Sequence, residues 1–199
     1  MRKKQGLKGL IFVISGPSGS GKTTLLKELF KDRELKAGFV KSVSLTTRSK
    51  RVSEREGKDY FFISEEEFQG KLRNKKIIER TRYLGYYYAT PKDFLEKQLG
   101  RGKHIILCLD LIGAFKIKKV YPRNSTSIFI MPPSLAELRE RIERRCCGTR
   151  REEILRRLAL AQDEIAAAPR FDYYLVNRDL KETVARLKRI VLNKTKIGR

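Results

Sequence analysis

Eight residues, Gly16-Pro17-Ser18-Gly19-Ser20-Gly21-Lys22-Thr23, satisfy the pattern GxxxxGK(S/T) directly behind the apolar run Leu10-Ile11-Phe12-Val13-Ile14. The chemistry of such a loop is phosphate binding. Its glycines let successive backbone N–H groups turn inward around phosphate oxygens, Lys22 reaches the β and γ phosphates, and the Thr23 hydroxyl ligates Mg²⁺. The expected ligand is a nucleoside triphosphate with its metal. A second candidate is Asp110, which closes the apolar run Ile105-Ile106-Leu107-Cys108-Leu109. Buried parallel strands end at ligand crevices, so a carboxylate at that end is placed to meet a ligand. Other chemistries are poorly supplied. The only histidine, His104, opens that same run and reads as a strand-end residue rather than a ligand, and the cysteines are Cys108, Cys146 and Cys147, two of them adjacent. No metal cluster, Ser/His/Asp or Cys/His centre or disulfide framework follows from that set, and a reducing compartment is expected.

The loop needs a strand before it and a helix after it, and the apolar run and the segment from Thr24 to Lys31 read as these. Phe39 to Thr47 reads as one strand and Tyr60 to Ile63 as another, with a polar, charged loop between them. Ser64 and Glu67 form a capping-box start for a helix running to about Asn74. Ile77-Ile78-Glu79 and Tyr86-Tyr87-Tyr88 read as short strands around a turn at Gly85, and Thr90-Pro91 as a cap and first-turn proline for a helix through Leu99. Strands follow at Ile105 to Asp110 and Ser127 to Met131, then a helix that Ser134 and Glu137 cap, and a turn at Gly148. A long helix from about Arg150 to Ala168 is expected to carry Ile154, Leu155, Leu158, Ala161 and Ile165 on one face. A strand at Tyr173 to Val176 and a helix from Leu180 to Leu192 end the series. Strands alternating with helices predict an α/β protein with a parallel sheet, and no internal repeat interrupts it.

A chain of 199 residues fits one domain with appendages, since domains run ~50 to 250 residues. A hydrophobic content of 40% beside 35% charged residues describes a globular protein with a heavily charged surface. No apolar stretch approaches the ~20 residues that span a bilayer, so no membrane partner is expected, and the short Leu10 to Ile14 run belongs to the fold rather than to a signal peptide. The 46 Lys and Arg against 23 Asp and Glu, a formal charge of +23, attract phosphorylated small molecules or polyanions. That excess is spread along the chain. Weak, non-specific nucleic-acid contact through the basic ends is the most it predicts for a polymer partner.

Downstream of the loop, Ser42-Val43-Ser44-Leu45-Thr46-Thr47-Arg48-Ser49-Lys50-Arg51, then Glu54 and Gly57-Lys58-Asp59-Tyr60, resemble the acceptor-binding segment of guanylate kinases. IIERTRYLGYYYATP at 77–91, MPPSLAELRERIERR at 131–145 and YYLVN at 173–177 extend the likeness over nearly the whole chain, in order. The resemblance implies a P-loop NTPase three-layer α/β fold with a central parallel sheet. The core would be about 1–41, 92–135 and 169–199, with an inserted mixed-β nucleoside-monophosphate-binding subdomain at about 42–91 and a helical lid at about 136–168. It implies Mg²⁺-dependent transfer of the ATP γ-phosphoryl group to GMP, and to dGMP, in the cytoplasm, by a monomer or homodimer. The alternative reading is a catalytically weak module of the same family that binds phosphorylated peptides or nucleic acid.

Carried onto this chain, the resemblance places ATP on residues 16 to 23, Thr24 and Asn177, and Mg²⁺ on Thr23 and Asp110. It places GMP on Ser44, Arg48, Arg51, Glu54, Tyr60, Glu79, Tyr88, Thr90 and Asp110. Guanine offers N–H donors at N1 and N2, which an acceptor-only carboxylate such as Glu79 takes as a pair, while guanidinium forks suit a dianionic phosphate. Lys22, Arg48 and the lid arginines Arg145 and Arg157 would absorb charge during transfer, with Arg156 a rival to Arg157. The chain departs from the family pattern at Cys108, where a carboxylate is usual, and at Tyr86, Ala89, Ile112 and Arg178.

Overall fold

The computed structural model describes residues 9–52, 54–145 and 151–197, and among these the side chains of all but 145, 151, 153 and 197. The turn predicted at Gly148, together with Cys146 and Cys147, lies outside the described residues. The elements run β1 (Ile11–Ser15), α1 (Lys22–Leu29), α2 (Arg33–Gly38), β2 (Phe39–Lys41), β3 (Ser44–Thr46), β4 (Tyr60–Phe62), α3 (Glu65–Arg73), β5 (Ile77–Tyr83) and β6 (Tyr86–Pro91). They continue α4 (Lys92–Gly100), β7 (His104–Cys108), α5 (Leu111–Val120), β8 (Ser125–Met131), α6 (Leu135–Arg145), α7 (Arg151–Ala166), a 3-10 turn at Ala168–Arg170, β9 (Tyr173–Val176) and α8 (Leu180–Ile197).

A five-stranded sheet takes the order β2-β7-β1-β8-β9, with β2 parallel to β7 and β8 parallel to β9. All five residues of β1 are buried, as a strand covered on both faces requires. The second sheet has the order β4-β3-β6-β5, with β3 parallel to β4 and antiparallel pairing of β3 with β6 and β5 with β6. Leu84 and Gly85, both at positive φ (49° and 89°), close the β5–β6 hairpin with the handedness that suits twisted strands.

The chain divides into two compact units. The first comprises Met1–Ile11, Gly38–Leu107 and Ile112–Ser125, and the second Phe12–Ala37, Cys108–Leu111 and Thr126–Arg199. In the first unit α3 covers one face of the four-stranded sheet. Its Phe68 is fully buried with Leu45 and Ala89, among Ile63, Ile77 and Tyr87. The predicted capping box opens α3, with the Glu67 N–H donating to Ser64 Oγ at 3.0 Å and the Ser64 N–H to Glu67 Oε2 at 2.9 Å. In the second unit α6 and α7 pack through Leu138, Ile142 and Ala161, flanked by Ile154, Leu158 and Ile165.

Several expectations need correction. The run from Phe39 to Thr47 is two strands in two sheets, because Phe39 to Lys41 pair with His104 to Ile106 whereas Ser44 to Thr46 pair with Tyr60 to Phe62. Thr90 and Pro91 do not open a helix from within. Both belong to β6, Pro91 is the extended residue before α4, and the Thr90 hydroxyl is spent on Glu79. Leu155 is 54% exposed rather than part of the buried face of α7, since 154, 158, 161 and 165 define a stripe that 155 leaves by a 100° step. Two helices lacked a legible signal: α2, whose Leu35 N–H is met by Asp32 Oδ1 at 3.2 Å, and α5. Helix α8 runs past Leu192 to Ile197, and no helix among the described residues is long and apolar enough to cross a membrane.

Phe68 stacks on Tyr87 with ring centroids 4.9 Å apart. Phe68→Ala is expected to cost about 3–5 kcal/mol in urea unfolding, the range for emptying a buried aromatic site. A loss under about 1 kcal/mol would show that α3 is not what holds this sheet together.

Candidate active site

In the second unit, residues 16 to 21 connect β1 to α1 as the sequence pattern requires. Gly21 is the N-cap of α1 at φ 93°, a left-handed conformation that glycine adopts without strain. Its surroundings add a second demand. A Cβ there would stand 2.3 Å from Asn177 Nδ2, which donates to the Ser20 carbonyl at 2.8 Å. Asn177 is thus a buried clip between the end of β9 and the loop, and its own N–H donates to the Met131 carbonyl at 2.9 Å. Lys22 opens α1 and turns its ammonium back onto the loop, donating to the carbonyls of Gly16 at 2.5 Å and Pro17 at 2.9 Å. Thr23 follows at the same helix start, Thr24 is exposed, and Ser18 is half-buried. Helix α6 leans on the loop, since a Cβ on Gly19 would lie 3.0 Å from Leu138 Cδ1.

Asp110 sits two residues past β7 and immediately before α5. Its charge and that of Lys22 both bear on Glu164 of α7, a residue the sequence reading passed over. Burial pushes the Glu164 carboxyl above its ordinary value, Lys22 opposes that shift, and Asp110 adds to it. Glu164 Oε2 is buried and has no hydrogen-bond partner. The available signal was a carboxylate at position 164 bordering the buried stripe of Ala161 and Ile165. Arg157 lies seven residues before Glu164, on the same side of the helix, and is half-buried, whereas Arg156 is exposed. Arg145 ends α6, and its side chain lies outside the described residues.

In the first unit, strand alternation and register collect the predicted acceptor residues on one face of the four-stranded sheet, opposite the face that α3 covers. Ser44 aligns with Tyr60, Thr46 with Tyr88, and Glu79 with Thr90, so Ser44, Tyr60, Tyr88, Thr90 and Glu79 share that face. Two clusters form on it. Glu79, 4% exposed, accepts a 2.6 Å bond from the hydroxyl of Thr90, itself fully buried. Arg48 forms the second: its Nη2 donates to both Glu54 oxygens at 2.8 and 3.0 Å, its Nε to the Tyr88 hydroxyl at 3.3 Å, and its Nη1 to the Ser49 carbonyl at 2.6 Å. The guanidinium carbon lies 5.6 Å from the Tyr60 ring centre and 5.8 Å from that of Phe62. Tyr60 meets Tyr88 edge-on at 5.8 Å.

Burial opposes the charge of Arg48, but the bonds and charges of Glu54 and Tyr88 outweigh it and raise its pKa above the ordinary guanidinium value. Burial likewise pushes Glu54 up, and Arg48 with the Arg51 N–H more than reverses this, so its carboxyl is held below the usual range. Arg51 contributes that N–H at 2.9 Å, while its side chain is exposed. Of the predicted acceptor set, the fold therefore brings Arg48, Glu54, Tyr60 and Tyr88 into one cluster and Glu79 with Thr90 into another, aligns Ser44 with Tyr60, leaves the Arg51 side chain exposed with its charge acting on Glu54, and puts Asp110 in the other unit.

A Lys-bearing phosphate loop at a strand–helix junction, together with a sheet face joining a buried carboxylate–hydroxyl pair to a guanidinium–phenol cluster, defines a P-loop nucleotide kinase. The guanylate kinase family model matches residues 8–194. Over 186 residues the chain is 44% identical to a guanylate kinase of Thermotoga maritima, spanning 93% of this chain and 87% of that one. A Bacillus cereus guanylate kinase is 42% identical over 186 residues, covering 93% and 88%. The crystal structure of guanylate kinase from Anaplasma phagocytophilum aligns with TM-score 0.78 and 37% identity over 94% of this chain and 86% of that one. The chain belongs to the guanylate kinase family.

Because the folded Glu54 carboxyl ionises below its ordinary 4.5, its ion pair with Arg48 stabilises the fold above that value and the contribution is lost as pH falls through the folded one. Unfolding free energy of the native chain should fall more steeply than that of Glu54→Gln on acidification from pH 6 to about pH 3. Parallel curves from denaturant titrations would exclude the ion pair as a source of acid sensitivity.

Proposed function

We infer that this guanylate kinase transfers the γ-phosphoryl group of ATP to GMP, and to dGMP, yielding ADP and GDP or dGDP, in the cytoplasm. The observation that carries the acceptor half is the single sheet face on which a buried Glu79 stands one row from the Arg48–Tyr88 cluster. A buried carboxylate has two acceptor oxygens and no donor, which matches the N1–H and N2–H edge of guanine and not the edge of adenine. Thr90 fixes Glu79 in orientation. Arg48 and Tyr88, with Tyr60 beside them, supply donors for the acceptor phosphate, whose oxygen attacks the γ-phosphorus as the β–γ bridging bond breaks. Glu54 acts as the positioning residue for Arg48 rather than as a direct ligand.

For the donor half, the loop N–H groups and the start of α1 take the phosphates. Lys22 exchanges its two carbonyl partners for phosphate oxygens, and Asn177 acts on ATP by holding the Ser20 carbonyl. Mg²⁺ prefers oxygen ligands, which the Thr23 hydroxyl and Asp110 supply in the same unit, and when bound with ATP it neutralises charge on the phosphates. Arg157, on the Glu164 side of α7, serves the transferring group in preference to Arg156. Arg145 is assigned the same duty on its position in the family segment. The subdomain limits of about 42–91 for the acceptor and 136–168 for the lid are part of this reading.

Coupled ADP release should appear with GMP and dGMP and be weak or absent with AMP, UMP and CMP; no GMP-dependent turnover would sink the proposal. Lys22→Ala is expected to lower kcat by about 10³-fold or more with GMP affinity retained. Glu79→Gln should narrow the preference for GMP over AMP by at least about tenfold, and an unchanged ratio in calorimetry would remove Glu79 from base recognition.

A further inference from the structure

Thr81 of β5 lies on the acceptor face two residues from Glu79 and directly opposite Tyr88 in the β5–β6 register. Its Oγ1 is buried without a hydrogen-bond partner, although the residue as a whole is partly exposed, so the exposure comes from its other atoms. Buried polar groups are almost always paired, and an orphan in the middle of a ligand face calls for an explanation. No bond holds this hydroxyl where it is. Turning χ1 by one staggered well carries the oxygen into the place of the methyl group, and the methyl into that of the Cβ hydrogen, so the hydroxyl can be turned toward a ligand at no loss of a hydrogen bond.

The position selects the ligand atom. Along β5, Glu79 is two residues, about 6.6 Å, away, while Tyr88 stands across the ladder at about 5 Å between Cα atoms. A nucleotide whose base is read by Glu79 and whose phosphate is met by Tyr88 passes over Thr81 with the portion that joins base to phosphate. That portion is the pentose. We propose that Thr81 is a further substrate-binding residue, whose hydroxyl hydrogen-bonds a sugar hydroxyl of the acceptor nucleotide and so makes this site sensitive to the sugar as well as to the base.

The inference rests on the acceptor reading of this face, and one set of measurements separates the two. Steady-state kinetics with ATP are compared for the native chain, Thr81→Val and Thr81→Ser, using GMP, 2′-deoxy-GMP and 3′-deoxy-GMP. Thr81→Val, which matches the side chain in shape, should raise KM for GMP about three- to tenfold with kcat within about twofold, the size of effect one hydrogen bond supports. Its melting temperature should equal or exceed that of the native chain, because the substitution removes an unpaired buried hydroxyl. Thr81→Ser should keep the native KM. For one deoxy analogue, the one lacking the contacted hydroxyl, Thr81→Val and the native chain should have the same KM. An unchanged KM for GMP in Thr81→Val overturns the proposal, as does an equal rise with all three nucleotides. A native chain without GMP-dependent turnover overturns the kinase reading instead, and calorimetric GMP affinity of the native chain against Thr81→Val still decides the role of Thr81.

Discussion

Binding phosphate takes concentrated positive charge, and each of the two units gives its candidate phosphate-binding cation an oxygen partner of its own. Lys22 is bonded to the carbonyls of Gly16 and Pro17, and Arg48 to both oxygens of Glu54. The two solutions differ in strength. Peptide carbonyls carry only partial charge, so on the proposed reading a polyphosphate would displace them from Lys22 with an electrostatic gain, whereas Glu54 sets a full opposite charge against the Arg48 guanidinium. Arg48 is accordingly held in place by Glu54, and on the proposed reading a phosphate would add to the cluster through donors that Glu54 does not use.

The backbone makes both arrangements cheap to hold. Loop shape is set by the left-handed Gly21 and by the Asn177 amide on the Ser20 carbonyl, which fixes the loop from outside rather than through its own side chains. On the acceptor side, the pleat of a four-stranded sheet sorts residues without further cost. Odd and even positions of β5 and β6 fall on opposite faces, so one face builds the apolar contact with Phe68 while the other gathers Glu79, Thr81, Tyr88 and Thr90. A one-residue slip between these strands would exchange the two sets. The tight Leu84–Gly85 turn therefore protects this sorting of side chains as much as the fold.

Local patterns were legible wherever one residue type has one physical use. The phosphate loop, the Ser64–Glu67 cap, the Gly85 turn and the buried strands could be read because glycine at positive φ, a paired cap and an unbroken apolar run admit few alternatives. The division of Phe39 to Thr47 between two sheets was not legible, since strand-forming residues run through Ser42 and Val43 with no glycine or proline to mark the exchange of partners. Thr90 shows the same limit from the other side. A threonine before a proline suits a helix start, and only its distant partner Glu79 reveals that the hydroxyl is bonded within the sheet instead of capping α4. The roles of Glu54 and Glu164 likewise depend on neighbours far apart in sequence or on burial, neither of which a residue's own type discloses.

Glu164 makes the charge balance of the donor half asymmetric. Glu164, whose carboxyl is subject to the charges of both Asp110 and Lys22, weakens the positive field of the loop when it is ionised, and that ionisation is resisted by burial and favoured only by Lys22. In a kinase the danger of a strongly positive empty site is the stray binding of any anion and, with ATP alone, attack by water on the γ-phosphate. On the proposed donor reading, Lys22 held on its carbonyls and near two carboxylates would respond to a ligand carrying several charges more than to a single inorganic anion. On that reading the negative groups around the loop belong to its selectivity, while the positive surplus of the chain as a whole is a general attraction for anions that does not discriminate among nucleotides.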